Sequence, residues 1–242
     1  MATVSCLTLP PVSWLAWPEH APSSAISVFR CSVDSPLTLP PTHWLTPTEW
    51  QRADRFHQPA DQQRFVLGRA LVRQVAGQIS GQSPEQIEIK IGPRGKPEWV
   101  NDNGWHVNLA HSGKWVLLAL AKTPVGLDVE QIGLNLDFQV LLDSTFGKYE
   151  HLFIKSHAQP HRAFYALWTR KEALLKATGL GLNNRLFQCS VLTGTHLTAD
   201  ETIGSPGHWT VATIDVDEQH AAALAWAGPL PIVHSPVTCY TI

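Results

Sequence analysis

Asp128 and Glu130 stand two residues apart in Pro124-Val125-Gly126-Leu127-Asp128-Val129-Glu130. On a strand, alternation puts both on one face, about 6.6 Å apart at about 3.3 Å per residue. Two ionised carboxylates that close repel unless a cation lies between them, and hard oxygen ligands suit Mg2+. The competing reading is an edge strand with two solvated acids. Downstream, Glu172 and Lys176 are four apart on one helix face. They are either a surface ion pair worth about 0.3–0.5 kcal/mol, or a third acid for the cation and a lysine for a phosphate. Upstream, Gly92-Pro93-Arg94-Gly95-Lys96-Pro97 is a turn whose freed backbone N–H groups, with Arg94 and Lys96, could grip an anion. His111, next to a turn, is either a turn hydrogen-bonder or an anion ligand. Together, acids that hold a metal and cations that hold a pyrophosphate suit attack by a hydroxyl on phosphorus. The chain has no Walker A loop and no H-R-D or D-F-G motif, which argues against the familiar nucleotide kinases.

The elements that must position these groups are legible in part. Residues 1–25, rich in Pro and Ser, read as an irregular arm, and Ala25–Val33 as a first strand. Thr46-Pro47-Thr48-Glu49 has the pattern of a helix start, with Thr46 as N-cap and Glu49 closing the box; that helix carries Arg52. A longer helix opens at Asp61, with Leu67, Leu71, Val75 and Ile79 as its apolar stripe. Arg64, Arg69 and Arg73 fall off that stripe and read as solvated. Ile87–Ile91 alternates as a strand, and Trp105–Ala110 and Trp115–Ala121 read as strands joined through His111–Lys114. Helices are expected over Asp137–Phe146, Lys148–Ser156 and residues 161–178, the last ended by Gly179. Strands are expected over Phe187–Leu192, Trp209–Val216 and Ala221–Ala227, with a Pro-containing tail. Trp105-x-Val107 repeats as Trp209-x-Val211, and Ala119-Leu120-Ala121 as Ala223-Leu224-Ala225. The expectation is therefore an α+β protein of two similar halves, 1–123 and 124–242, with the acidic strand at their junction.

Composition narrows the setting. The 242 residues carry a net charge of −2, without the basic excess of a nucleic-acid binder. Four cysteines, at 6, 31, 189 and 239, have no metal-ligand spacing and suggest no disulfide framework; Cys31 or Cys189 as a nucleophile has nothing else behind it. No signal peptide or membrane-length apolar run is read, so a cytoplasmic protein binding neither membrane nor nucleic acid is expected.

Four motifs occur in order: Gly95-Lys96-Pro97, Asn108-Leu109-Ala110-His111-Ser112-Gly113, Val125-Gly126-Leu127-Asp128-Val129-Glu130 and Trp168-Thr169-Arg170-Lys171-Glu172-Ala173-Leu174-Leu175-Lys176. They resemble those of the 4'-phosphopantetheinyl transferases, specifically the long, monomeric, surfactin-synthetase-activating type. The resemblance implies two pseudo-symmetric α+β halves with coenzyme A in the cleft between them. It implies Mg2+-dependent transfer (Mn2+ being the alternative ion) of phosphopantetheine to a serine of an apo acyl or peptidyl carrier protein, releasing 3',5'-ADP. On the family's pattern Asp128, Glu130 and Glu172 fall on metal ligands, Lys96 and His111 on nucleotide-phosphate contacts, Lys176 on the pyrophosphate lysine and Arg52 on the 3'-phosphate. Glu172, Glu150 or a metal-bound water would take the serine proton. Two departures matter. Ala110 replaces a frequent Ser, leaving backbone N–H and the His111 imidazole. Glu49 stands where some members have a second basic residue, so Arg52, Arg64 or Arg94 must supply that charge. The carrier would dock near Gly179–Gln188 through Leu180, Leu182, Leu186 and Phe187, residues that core packing would equally explain. Rival readings are another phosphotransferase acting on a pyrophosphate substrate and a non-catalytic coenzyme A-binding protein.

Overall fold

A computed structural model describes residues 1–17, 25–35, 42–92, 95–100, 103–181, 183, 185–229 and 237–242. The chain divides into two compact units, one of Met1–Val12 with Thr123–Val233 and one of Ser13–Lys122 with His234–Ile242. The interior division falls between Lys122 and Thr123, and each terminus is built into the sheet of the other half's sequence.

In chain order the elements are β1 (Ala2–Thr8), β2 (Trp14–Ala16), β3 (Ile26–Ser32), α1 (Pro47–Ala53), α2 (Pro59–Ser80), β4 (Ile89–Ile91), β5 (Pro97–Trp99), β6 (His106–Ser112), β7 (Trp115–Ala121), β8 (Val125–Gln131), α3 (Gln139–Thr145), α4 (Lys148–Ser156), α5 (Pro160–Thr178), β9 (Gly194–Thr198), α6 (Asp200–Ile203), β10 (Gly207–Ile214), β11 (His220–Ala227) and β12 (Val237–Thr241). One five-stranded sheet has the order β8-β11-β10-β1-β9, the other β2-β12-β3-β7-β6. Each is mixed: β1 runs parallel to β10 and β12 parallel to β3, while the remaining pairs around them are antiparallel except β12 with β2.

The internal repeat has a topological counterpart. In one unit β3, the long helix α2 and the hairpin β6–β7 follow in sequence, and β7 pairs back onto β3. In the other, β8, the long helix α5 and β10–β11 follow, and β11 pairs back onto β8. Only one copy carries acids, since β3 reads Ile-Ser-Val-Phe-Arg-Cys-Ser.

Local chemistry explains the helix ends. The Thr46 hydroxyl accepts the Glu49 N–H, and Glu49 Oε2 accepts the Thr46 N–H at 2.9 Å, a closed capping box. α5 ends at Gly179 with φ +74, the left-handed cap that glycine takes without strain. The predicted stripe on α2 packs on its sheet, with Leu67, Leu71 and Val75 against Phe29, Val116, Leu118 and Leu120. In the other unit Phe164, Leu167 and Leu174 of α5 pack on Val4, Val211 and Ala223.

Four expectations fail, each for lack of a local signal. Residues 1–25 are not all irregular: Ala2, Val4 and Cys6 alternate inward in β1, whose hydrogen-bonding partners lie about 200 residues away. The tail likewise contributes β12. His111 lies inside β6, opposite Val116, so the turn is shorter than expected. Residues 187–192 form no strand; Leu186–Gln188 is a 3-10 turn and the strand begins at Gly194. All four cysteines are buried and unpaired, and burial pushes the Cys31 thiol up to about 12 and Cys189 to about 11, so none is a thiolate at neutral pH. Among the described residues no helix is long and apolar enough to cross a membrane.

Candidate active site

β8 is the last strand of its sheet, yet its acids are not left in water. Asp128 lies opposite Ala223, and directly opposed residues of an antiparallel pair share a face. Ala223 belongs to the core beneath α5, so Asp128 faces that helix and is 4 % exposed. Gly126 sets the approach. A Cβ there would lie 2.1 Å from the Ala173 carbonyl oxygen and 2.3 Å from the Ala177 nitrogen, so only glycine lets the helix backbone seat on the strand. Glu172 and Lys176 each precede one of those two alanines.

The seating brings Lys176 Nζ to 2.7 Å from Asp128 Oδ1. Asp128 Oδ2 is buried with no hydrogen-bonding partner. Burial raises the Asp128 carboxyl above its ordinary value, with Lys176 working against it. Glu172 is raised by burial first, then by the Asp128 charge, with a smaller push from Glu130 and opposition from Lys176. Glu130 and Asp128 are therefore both within electrostatic reach of Glu172. The three acids nonetheless do not stand as a ready metal cluster: among the described residues no three His, Cys, Asp or Glu side chains are so grouped. Lys176 is the cation that Asp128 holds. The donor set still fits a hard cation, being all carboxylate with one buried oxygen unspent.

Glu150 is not at this group. It is 1 % exposed, its Oε2 lies 3.0 Å from Lys171 Nζ and accepts the Gly147 N–H, and its Oε1 accepts the Val191 N–H at 2.9 Å. Both oxygens are spent inside the core. Lys171, fully buried, also donates to the Leu186 and Cys189 carbonyls. Replacing Lys171 by Met strands the Glu150 charge, and a loss of about 3–5 kcal/mol in urea unfolding is expected; a loss under about 1 kcal/mol would contradict this placement. The neighbouring Arg170 ties α5 to the Leu7 and Val191 carbonyls and the Thr8 and Thr213 hydroxyls.

The cations of the other unit divide. Arg64 is committed to protein groups, donating to the Gly113 carbonyl at 2.7 Å and pairing with Asp61 at 2.5 Å. Arg94 lies outside the described residues. Gly95 takes a left-handed turn, φ +78, just before Lys96, and Pro97 opens β5. Lys96 lines a cavity of about 290 Å³ with Trp99, Trp105 and His106. Ala110 is buried and His111 exposed, as alternation on β6 requires. Arg52 lines a larger cavity, about 640 Å³, with Arg55, Arg69 and Phe65. Arg69 there is a residue the sequence reading missed. It is 5 % exposed, and Arg73 is 2 % exposed, where both were read as solvated. The missed signal is that Phe65–Gly77 is apolar on nearly every side of the helix, which buries even the residues off the main stripe. Of the expected docking residues, Leu186 is core and Phe187 is 41 % exposed, while Leu182 lies outside the described residues.

Residues 124–225 match the 4'-phosphopantetheinyl transferase superfamily, and residues 39–123 match the family described as 4'-phosphopantetheinyl transferase, N-terminal. The chain is 31 % identical to the 4'-phosphopantetheinyl transferase HetI of Nostoc sp. over 89 % of this chain and 94 % of that one. It belongs to the 4'-phosphopantetheinyl transferase superfamily. Its likeness to the transferase Sfp of Bacillus subtilis, 27 % identical over 84 % of this chain and 93 % of that one, places it with the long, two-half type. A putative transferase of Synechocystis sp. is 29 % identical over 82 % and 86 %. The two matched regions meet at 123/124, between β7 and β8. This superfamily member is thus an enzyme with an α+β fold in two halves.

Proposed function

We propose that the enzyme transfers 4'-phosphopantetheine from coenzyme A to a serine hydroxyl of an apo acyl or peptidyl carrier protein and releases 3',5'-ADP. The observation that carries this is the buried Asp128–Lys176 pair with Glu172 beside it, held by the seat of α5 on Gly126. Asp128, Glu130 and Glu172 would hold Mg2+, or Mn2+ in its stead, which supplies Lewis-acid stabilisation of the pyrophosphate oxygens.

Lys176 supplies a positive charge for the pyrophosphate. Glu172, its carboxyl raised by burial and by Asp128, is the general base. It takes the serine proton as the serine oxygen bonds to the pantetheine-side phosphorus, and the electron pair of the broken P–O bond leaves on the 5'-phosphate of 3',5'-ADP. Both Glu150 oxygens are engaged in the core, which favours Glu172 over it for that role. Lys96 and His111 are assigned to nucleotide phosphates, and Arg52 with Arg69 to the 3'-phosphate monoester.

Purified protein incubated with coenzyme A, Mg2+ and an apo carrier protein is expected to raise the carrier's intact mass by one phosphopantetheine. No gain with fatty-acid, polyketide, polyunsaturated-fatty-acid and peptide carriers would overturn the reading.

A further inference from the structure

Arg52 and Arg69 line the cavity between α1, α2 and β4, and one carboxylate, Glu49, pairs with both Arg69 and Arg73. Glu49 grips Arg73 with both oxygens, Oε1 at 3.0 Å from Nη1 and Oε2 at 2.8 Å from Nη2. Its Oε2 also accepts the Thr46 N–H and hydroxyl, so the acid is pinned by the helix cap. Arg69 Nε lies 3.6 Å from the same carboxylate, an ion pair without a hydrogen bond. Arg69 and Arg52 flank one ring, their guanidinium carbons 5.1 and 5.5 Å from the Phe65 centroid. Arg69 Nε and Nη1 are buried with no hydrogen-bonding partner, and Arg69 lines the cavity.

Buried donors of a charged group left unpaired cost free energy, and they call for an acceptor that the protein does not provide. Burial is the chief force lowering the Arg69 pKa; Glu49 opposes it and the Arg52 and Arg73 charges add to it. The carboxylate therefore makes the burial of adjacent like charges tolerable. Two roles are open to an acid at an anion site: it repels the anion, or it orients the cations that bind it. The spent state of both Glu49 oxygens favours the second.

We propose that Glu49 is a positioning residue: it locks Arg73 and draws Arg69 into the orientation that presents its unspent N–H donors, dry, to the phosphate monoester of the substrate. The proposal rests on the reading of the protein as a coenzyme A-dependent transferase. Without Glu49 the paired guanidiniums repel, Arg69 turns toward water, and its donors act in a medium where each hydrogen bond is worth less.

The test measures calorimetric affinity for coenzyme A and for 3'-dephospho-coenzyme A, with Mg2+ present. In the unaltered protein coenzyme A is expected to bind more tightly; if neither ligand binds, the functional reading fails and not the role of Glu49. Glu49→Gln is expected to shrink the ratio of the two affinities about tenfold, through the coenzyme A arm alone. KM for coenzyme A should rise with it while kcat holds. The double variant Glu49→Met/Arg73→Met replaces the buried pair with apolar side chains, which protects the fold, and should lose the same tenfold. An unchanged ratio in the double variant reduces Glu49 to a fold-stabilising role and overturns the proposal. A ratio that grows in either variant means that Glu49 repels the phosphate, which overturns it equally.

Discussion

Asp128→Asn is expected to lower kcat/KM for carrier modification by about 100- to 1,000-fold, the usual scale for removing one preorganised electrostatic partner. The substitution keeps the shape of the side chain and removes its charge. That charge is buried and paired with Lys176 at 2.7 Å, and it is the second-largest influence raising Glu172. Losing it releases Lys176, takes away a metal ligand under the proposed mechanism, and removes one of the three pressures that keep Glu172 basic. Stability should suffer little, since the carboxylate is itself penalised by desolvation. Thermal melting and carrier mass read together decide the matter. Activity within about fivefold of the unaltered enzyme would dismiss Asp128 from the chemistry, and a melting drop large enough to account for the loss would recast it as structural.

Gly126→Ala is the second large effect, and it acts through geometry. The added methyl carbon meets the Ala173 carbonyl oxygen at 2.1 Å and the Ala177 nitrogen at 2.3 Å, both backbone atoms with no rotamer to escape into. Either α5 lifts from β8 or the strand bows. Overpacking of this kind costs about 3 kcal/mol, which for a protein of this size is a fall of roughly 6–12 °C in melting temperature. Lifting the helix also carries Glu172 and Lys176 away from Asp128, and a misplacement of about 1 Å costs about 100-fold in rate. Gly68→Ala is the control. Its Cβ would also be crowded, at 2.6 Å, but by the end of the Leu109 side chain, which can rotate; a loss below about 1.5 kcal/mol and near-full activity are expected. Equal behaviour of the two variants would remove Gly126 from its role as the seat of the helix.

These two residues also mark how far the chain could be read without coordinates. The i, i+2 spacing of Asp128 and Glu130 and the i, i+4 spacing of Glu172 and Lys176 are local periodicities, set by the backbone alone. So are the Thr46–Glu49 capping box and the helix stop at Gly179. Those features, with four ordered motifs, sufficed to determine the family and the α+β class and to single out the acids and lysine of the candidate site.

Other facts depend on residues far apart in the chain, and local pattern could not reach them. β1 and β12 are strands because β10 and β3 offer them free edges in parallel, at separations of about 200 residues. Glu150 and Glu172 are both acids on helices, and only packing decides that one is locked to Lys171 in the core while the other lies with Asp128 and Lys176. Glu49, legible in the sequence only as a helix-cap acid, proves to be the partner of two buried arginines. In each case the side chain's identity fixes what chemistry is available, and the dielectric and the neighbours that folding supplies fix which chemistry occurs.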